Sequence, residues 1–400
     1  MEMVVVMLIF VIVIGLTGDA FNRIVSRAIS LSRSAESNIT GIVGLEIMRT
    51  DLEAAGYGLL WSFSRSINYD EASEDLGIAL NDNESAYAAD PTQDKVPHAV
   101  MSINNNVFTD PAVVLKGTDV LAVRGISVAT NAAAKRWTYL ESQVKPNINP
   151  DPVPRLWTSS SDNPANNDRV IMVQPMANMK PTNQLIVNAD GTWWATYNNP
   201  FHNYSTIGKP PVYNDAEGKS DLYLIYGVNG DTDLRMPFNR SDFYVRRPAA
   251  SEQGWIRLPQ RCNPATGILF KGVVGQDSGG YQELPLLDCV LDMQVVYGVR
   301  TPGTTTVTDT DTISGFTPKD VREQVKEIKV YILTHNGGID RNYTYPRSTI
   351  AVGPGDGTSG TGHTYDFMNP PNVVPNWQNY HWHVYQVVAR PKNLTGNVAQ

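Results

Sequence analysis

Proline is missing from the opening of the chain, where the first is Pro91, so nothing in that span carries the residue that most often breaks a helix. Charge is missing from Met3 to Gly18, a run of sixteen residues. Cysteine is scarce: Cys262 and Cys289 are the only two. They are too few for a thiolate metal site, and compatible either with one disulfide closing a loop of just under thirty residues or with two free buried thiols. A disulfide formed outside the cytoplasm would stabilise by roughly 3 kcal/mol through loop closure. Basic runs are missing as well. The net charge is −8 and the pI is near 5.3, and no lysine or arginine run interleaves with aromatics, so nucleic acid is not an expected partner. No P-loop, dinucleotide fingerprint or CxxC occurs, no fixed-period repeat, and no linker long enough to force a domain split.

What is present begins with the apolar run itself. As a helix, Met3 to Gly18 would rise about 24 Å, somewhat short of a hydrocarbon core of roughly 30 Å. An acidic residue, Glu2, stands at its head, where a secretory signal would carry basic residues. Helical spacing continues past the run: Phe21, Ile24, Ala28, Leu31, Ala35, Ile39, Ile42, Leu45, Met48, Leu52 and Ala55 recur at steps of three and four. The spacing predicts one helix from about residue 2 to about 56, some 84 Å long, ended by Gly56-Tyr57-Gly58. Gly15, Gly18, Gly41 and Gly44 are weak points costing roughly 1 kcal/mol each against alanine.

Beyond residue 58 the period becomes two. After a polar, loop-like stretch at 64–98, strands are expected at Ala112–Leu115, Asp119–Arg124, Val170–Gln174, Leu185–Asn188, Leu222–Tyr226, Asp242–Val245, Ile268–Lys271, Val290–Val299, Ile328–Thr334 and Trp382–Val388. With 42% hydrophobic residues the chain has ample material for a core, and 31 glycines and 26 prolines predict long exposed loops between the strands.

A hydrophobic helix headed by a glutamate and continuing amphipathically into a β-rich head resembles the type IV pilins and pseudopilins. The resemblance sharpens to the PilW-type minor pilins in GLEIMRTDLEAAGYGLL (44–60), in GTDVLAVRG (117–125) and in the closing stretches LLDCVLDMQVVYGV (286–299), VREQVKEIKVYILT (321–334) and WHVYQVVARPKNL (382–394). It covers both ends and about half the chain; 126–285 matches no known pattern. The resemblance implies an α+β, pilin-like fold: a helix at 1–58, with 2–18 as transmembrane segment or filament core, and a β-rich head at 59–400. It implies that Glu2 pairs with the free N-terminal amine of a neighbouring subunit, since an unpaired carboxylate in lipid costs several kcal/mol. The basic leader and the first mature residues of that family are absent, and the expectation is a trimmed or misassigned start, the alternative being a single-span anchored protein that begins here. The implied role is structural and non-catalytic: a minor pilin that joins other minor pilins in a tip complex priming type IV pilus assembly. Its partners would be those subunits, the major pilin and a PilY-type tip adhesin. It would be held in the inner membrane with a periplasmic head before assembly and at the extracellular filament tip afterwards, a setting that favours the disulfide. The alternatives are a GspJ-like pseudopilin of type II secretion and a membrane-anchored adhesin or binding module.

Four features invite chemistry. GQDSGGY (275–281) resembles a serine-protease nucleophile loop, yet the nearest base candidate, His98, has no matching context, and a glycine-rich turn is the better reading. His381 and His383 alternate on one strand face but lack a third ligand. Asp231, Asp233, Asp309 and Asp311 supply oxygens of the kind calcium takes, outside the twelve-residue loop pattern; no other cofactor is expected. Aromatic clusters around Trp193, Trp194, Tyr197, Phe201 and Tyr204, and around Trp377, Tyr380 and Trp382, are candidates for partner contact or for the core.

Overall fold

The structure, a computed structural model, describes residues 41–73, 80–82, 96–142, 154–177, 180–188, 190–198, 221–249, 252, 256–354, 361–369 and 373–395. The described chain opens with helix α1 (41–53) and passes through β1 (Ser62–Phe63), β2 (Val100–Ile103) and β3 (Val120–Gly125). It then makes an excursion through β4 (Trp137–Ser142), β5 (Arg169–Ala177), β6 (Lys180–Leu185), β7 (Ala195–Thr196) and β8 (Asp221–Asn229). It returns through β9 (Asn239–Arg246), β10 (Gly267–Val274), β11 (Tyr281–Arg300) and β12 (Val307–Thr310). Helix α2 (Pro318–Gln324), strands β13 (Val325–Asn336), β14 (Thr349–Val352), β15 (His363–Asp366) and β16 (His381–Ala389), and helix α3 (Lys392–Thr395) close the chain.

These strands make two sheets and a hairpin. An eight-stranded sheet runs β16-β13-β11-β10-β9-β3-β2, with β12 pairing β11; a six-stranded sheet runs β1-β6-β5-β8-β4, with β7 on β5; β14 and β15 pair with each other. Strand β3 pairs antiparallel with β9, Leu121 opposite Phe243 and Gly125 opposite Asn239. The excursion therefore leaves and re-enters between two neighbouring strands.

Alternation along the strands assigns each face to a different layer. Leu121, Val123, Phe243 and Val245 face a central core that also holds Ile171 and Val173 of β5, Leu45, Met48 and Leu52 of α1, and Ala55 just after it. Their neighbours face outward into smaller clusters: Val120, Ala122 and Tyr244 in one, Val170, Met172, Tyr223 and Ile225 in another. Strands β3, β9 and β10 thus bury both faces almost throughout.

The expected fold class is corrected. The described residues are mostly sheet, 39% strand and 11% helical, with three short helices, and among them no helix is long and apolar enough to cross a membrane. The front of the expected helix, with Glu2 and the segment 2–18, lies outside the described residues. Sheet exceeds expectation because stretches read as loops hold short paired strands, as in β6, which begins Lys180-Pro181 and holds Asn183, and β15. Conversely, Ala112–Leu115 forms no strand: residues 111–113 make a turn, in which Val113 N–H donates to Asp110 O at 3.1 Å. The stretch 64–73 is no solvated loop: Ile67, Tyr69, Glu71 and Ala72 are all buried.

Candidate functional site

The site begins with how α1 sits on the head. Gly41, Gly44, Leu45, Met48, Asp51, Leu52 and Ala55 form its buried stripe. A Cβ at Gly44 would lie 2.1 Å from the carbonyl oxygen of Leu286, and one at Gly41 would lie 2.8 Å from Leu287 Cδ1. Helix backbone therefore rests directly on β11, and the two glycines expected to weaken the helix are what let it dock.

Beneath α1 a charged pair fixes the rotation of the helix. Lys271 Nζ of β10 lies 2.5 Å from Asp51 Oδ2, and both side chains are buried. Burial pushes the Asp51 carboxyl up to about 6, against the pull of the Lys271 ammonium. A buried pair of this kind adds little net stability but makes a wrong register costly.

Helix α1 ends where glycine is required: Gly56 and Gly58 adopt φ of 76° and 65°, and Gly56 N–H donates to Arg124 O at 2.9 Å. Ile126 N–H donates to Tyr57 O at 2.8 Å, and Gly125 lies so close that a Cβ would approach Ala54 O to 3.1 Å. Leu394 of α3 packs on Gly56, and Lys392 Nζ reaches Glu53 at 3.3 Å. Val295 N–H donates to Asp119 Oδ2 at 2.7 Å, and Asn105 N–H to Asp119 Oδ1 at 2.8 Å. Burial raises Asp119 to about 8, and the carboxylates of Asp292 and Asp311 add to the rise. The stretches 44–60, 117–125, 286–299 and 382–394 thus meet in one seam, and 321–334 pairs with both β11 and β16 beside it.

A second buried network binds the loop after β1. Glu71 accepts from Arg124 Nη2 and Arg240 Nη1, each at 2.8 Å, and Arg240 forks onto Asp242 at 2.8 and 2.7 Å. All four side chains are fully buried. Tyr281 OH donates to Asp242 Oδ2 at 2.6 Å. Two guanidinium groups facing two carboxylates leave the cluster neutral, which makes its burial tolerable. Opposing carboxylates raise both arginines above their usual range despite burial.

The other sequence candidates scatter. GQDSGGY is the β10–β11 hairpin turn, closed by Gly275 N–H to Gly280 O at 2.9 Å; Gly279, at φ 73°, abuts Glu71 O. His98 is remote in role: its ring nitrogens meet Asp82 Oδ2 at 2.8 Å and Phe316 O at 2.9 Å. Asp233 pairs with Arg169 at 3.3 Å and Asp309 with Lys329 at 2.8 Å; Asp231 is exposed and Asp311 half-buried. Among the described residues no three His, Cys, Asp or Glu gather as a metal site. His381 stacks on Tyr343 with ring centres 3.8 Å apart, while His383 packs edge-on to Tyr385. Trp193 is buried in the central core and Trp194 is partly buried, with Arg169 over its ring. Trp377 is partly exposed and stacks on Phe367, and Tyr380 is buried against His335. Phe201 and Tyr204 lie outside the described residues. Cys262 and Cys289 are bonded to each other, with Cα atoms 4.9 Å apart; Cys289 takes φ 56° where the register of β11 with β10 shifts between Leu287 and Val290.

Charged residues carry the part that sequence reading missed: Lys271, Glu71, Arg124, Arg240 and Asp242. One signal was available. Arg240 and Asp242, two apart on one strand, must share a face, and a cation and an anion sharing a buried face should pair. Comparison with protein-family models, curated proteins and solved structures finds no match.

Proposed function

We propose that the chain is a structural subunit without catalysis, a minor pilin of the PilW type acting in a tip complex that primes filament assembly. The observation that supports it is the seam. The five stretches that carry the resemblance are distant in sequence, yet four of them meet along α1 and its end through backbone hydrogen bonds and glycine contacts, and the fifth, 321–334, pairs with β11 and β16 beside them. A head fused to a helix end by glycine contacts and one buried ion pair suits a part that must keep one orientation while load passes between helix and head. The partners are other minor pilins and the major pilin, and the setting is the inner membrane before assembly and the filament tip after it.

The test is a cross-link and pull-down from cells carrying the tagged full chain and a Glu2→Ala version, read by mass spectrometry together with the mature N-terminus. Minor pilins recovered with the native chain and lost with the variant are the expected result. Recovery of secretion-system pseudopilins instead would select the GspJ-like alternative, and a chain that brings down no pilin-like partner sinks the proposal.

A further inference from the structure

Arg124 and Arg240 meet Glu71, Arg136 meets Asp168, and Arg246 meets Glu252 and Glu283. Arg247, the next residue after β9, breaks the pattern. It is half-buried, and among the described residues no carboxylate lies within ion-pair distance of it. Main-chain oxygens hold it instead: its Nε donates to Thr266 O at 2.9 Å, and its backbone N–H to Pro111 O at 2.7 Å. Burial alone pushes the guanidinium below the usual arginine range. A partly desolvated cation without a counter-charge is costly. Arg257, which is exposed, lines the same cleft and is also pinned by carbonyls, Nη1 on Ala249 O and Nη2 on Glu252 O, each at 3.0 Å. The Glu252 carboxylate feels Arg257, but Arg246 holds both of its oxygens at 3.0 Å. The cleft is open, has a volume of about 460 Å³, and has Pro111, Pro248 and Leu258 among its walls. Among the described residues Asp110 is the one acidic side chain that lines it, and its Oδ1 accepts from Ala112 N–H at 2.9 Å.

We infer that this cleft binds a monocarboxylate with a small apolar body, its carboxylate taken by Arg247 and Arg257. Two cations and one anion line the cleft, so a single negative charge balances it and a doubly charged phosphate overshoots. A guanidinium fork matches the two oxygens of a planar carboxylate. Both arginines are already fixed by carbonyls, so little side-chain freedom is lost on binding. The proline and leucine walls offer no polar side chain and suit an apolar body, and the volume is that of a site for a small ligand. A free organic acid and the chain end of a peptide closing on an apolar residue share this chemistry. The inference does not rest on the minor-pilin reading.

Ligand-observed NMR titration of the full chain in detergent tests the site, with N-acetyl-leucine as the probe. N-acetyl-leucinamide has the same body without the charge, and inorganic phosphate has charge without the body. The expected result is saturable, millimolar binding of N-acetyl-leucine, with the amide and phosphate bound far more weakly. Arg247→Gln and Arg257→Gln should each weaken it by about tenfold or more, the worth of a charge-assisted hydrogen bond. Arg257 is exposed, so its variant keeps the test open should Arg247→Gln fail to fold. A native chain that shows no saturable binding overturns the proposal, as does an amide that binds as tightly as the acid, or binding undiminished in Arg257→Gln. Phosphate binding tighter than N-acetyl-leucine overturns the monocarboxylate class. An N-acetylated Ala-Ala-Leu peptide separates the two sources: tighter binding than N-acetyl-leucine assigns a peptide chain end and weaker binding a free acid, either of which supports the site.

Discussion

The two sheets solve the same burial problem with different materials. The eight-stranded sheet carries charge through its interior: Glu71, Arg124, Arg240 and Asp242 lie fully buried, and Lys271 meets Asp51 under the helix. The outer face of the six-stranded sheet is closed by an apolar cluster of Leu140, Val170, Met172, Ile186, Ala195, Tyr197, Tyr223 and Ile225. Apolar packing tolerates sliding and repacking, whereas a neutral ion cluster has one arrangement that satisfies every group. The contrast shows where orientation matters: the charged sheet seats α1, and the apolar sheet is built from the excursion between β3 and β9 together with β1.

The largest predicted effect tests the charged side. Glu71→Ala leaves Arg124 and Arg240 buried with one counter-charge between them, and should cost about 3–5 kcal/mol by chemical denaturation. A loss below about 1 kcal/mol would mean that water reaches the cluster. Ile225→Ala, the matching insult to the apolar side, should cost about 2–4 kcal/mol and leave the docking of α1 intact, as read by the protease resistance of 41–58. Gly44→Ala should cost about 1–3 kcal/mol by forcing the helix off Leu286, and there the protease resistance of 41–58 should fall; in a free helix the same change would stabilise.

A subtler comparison concerns pH. Asp51, raised to about 6, holds its proton in the folded state after the unfolded chain has released it. Its contribution to stability therefore falls as pH rises from about 4 to 6 and is level above that. In Asp51→Asn that part of the slope should vanish, whereas Ile225→Ala should keep it. The smallest effect is expected at Asp233, whose side chain is 76% exposed in its pair with Arg169; Asp233→Ala should change stability by about 0–1 kcal/mol.

The long regular strands were legible from the chain alone, because their β-branched, aromatic and leucine content is high despite Asp292, Gln294 and Lys329, as in Val290–Val299 within β11 and Ile328–Thr334 within β13. The end of α1 was legible too, since left-handed turns at 56 and 58 need glycine. The short strands were not: β7 and β15 are set by their partners rather than by their own composition. Gly41 and Gly44 were misread because propensity describes an isolated helix, and here Leu286 and Leu287 decide. Of the candidate site, the stretches at the seam were visible, while the ions that lock it were hidden. Glu71 and Lys271 make sense only beside partners that the linear order keeps far away.

The pairing of β3 with β9 bears on the order in which the chain folds. Gly125 and Asn239 must be brought together across the whole excursion, and closing so long a loop in an unfolded chain is slow. Once β4, β5 and β8 have paired with one another, the free chain left to search is only what joins β3 to β4 and β8 to β9. Pairing of β4 with β8 spans a shorter stretch of chain than pairing of β3 with β9, so it shortens the loop that the β3–β9 pair must close.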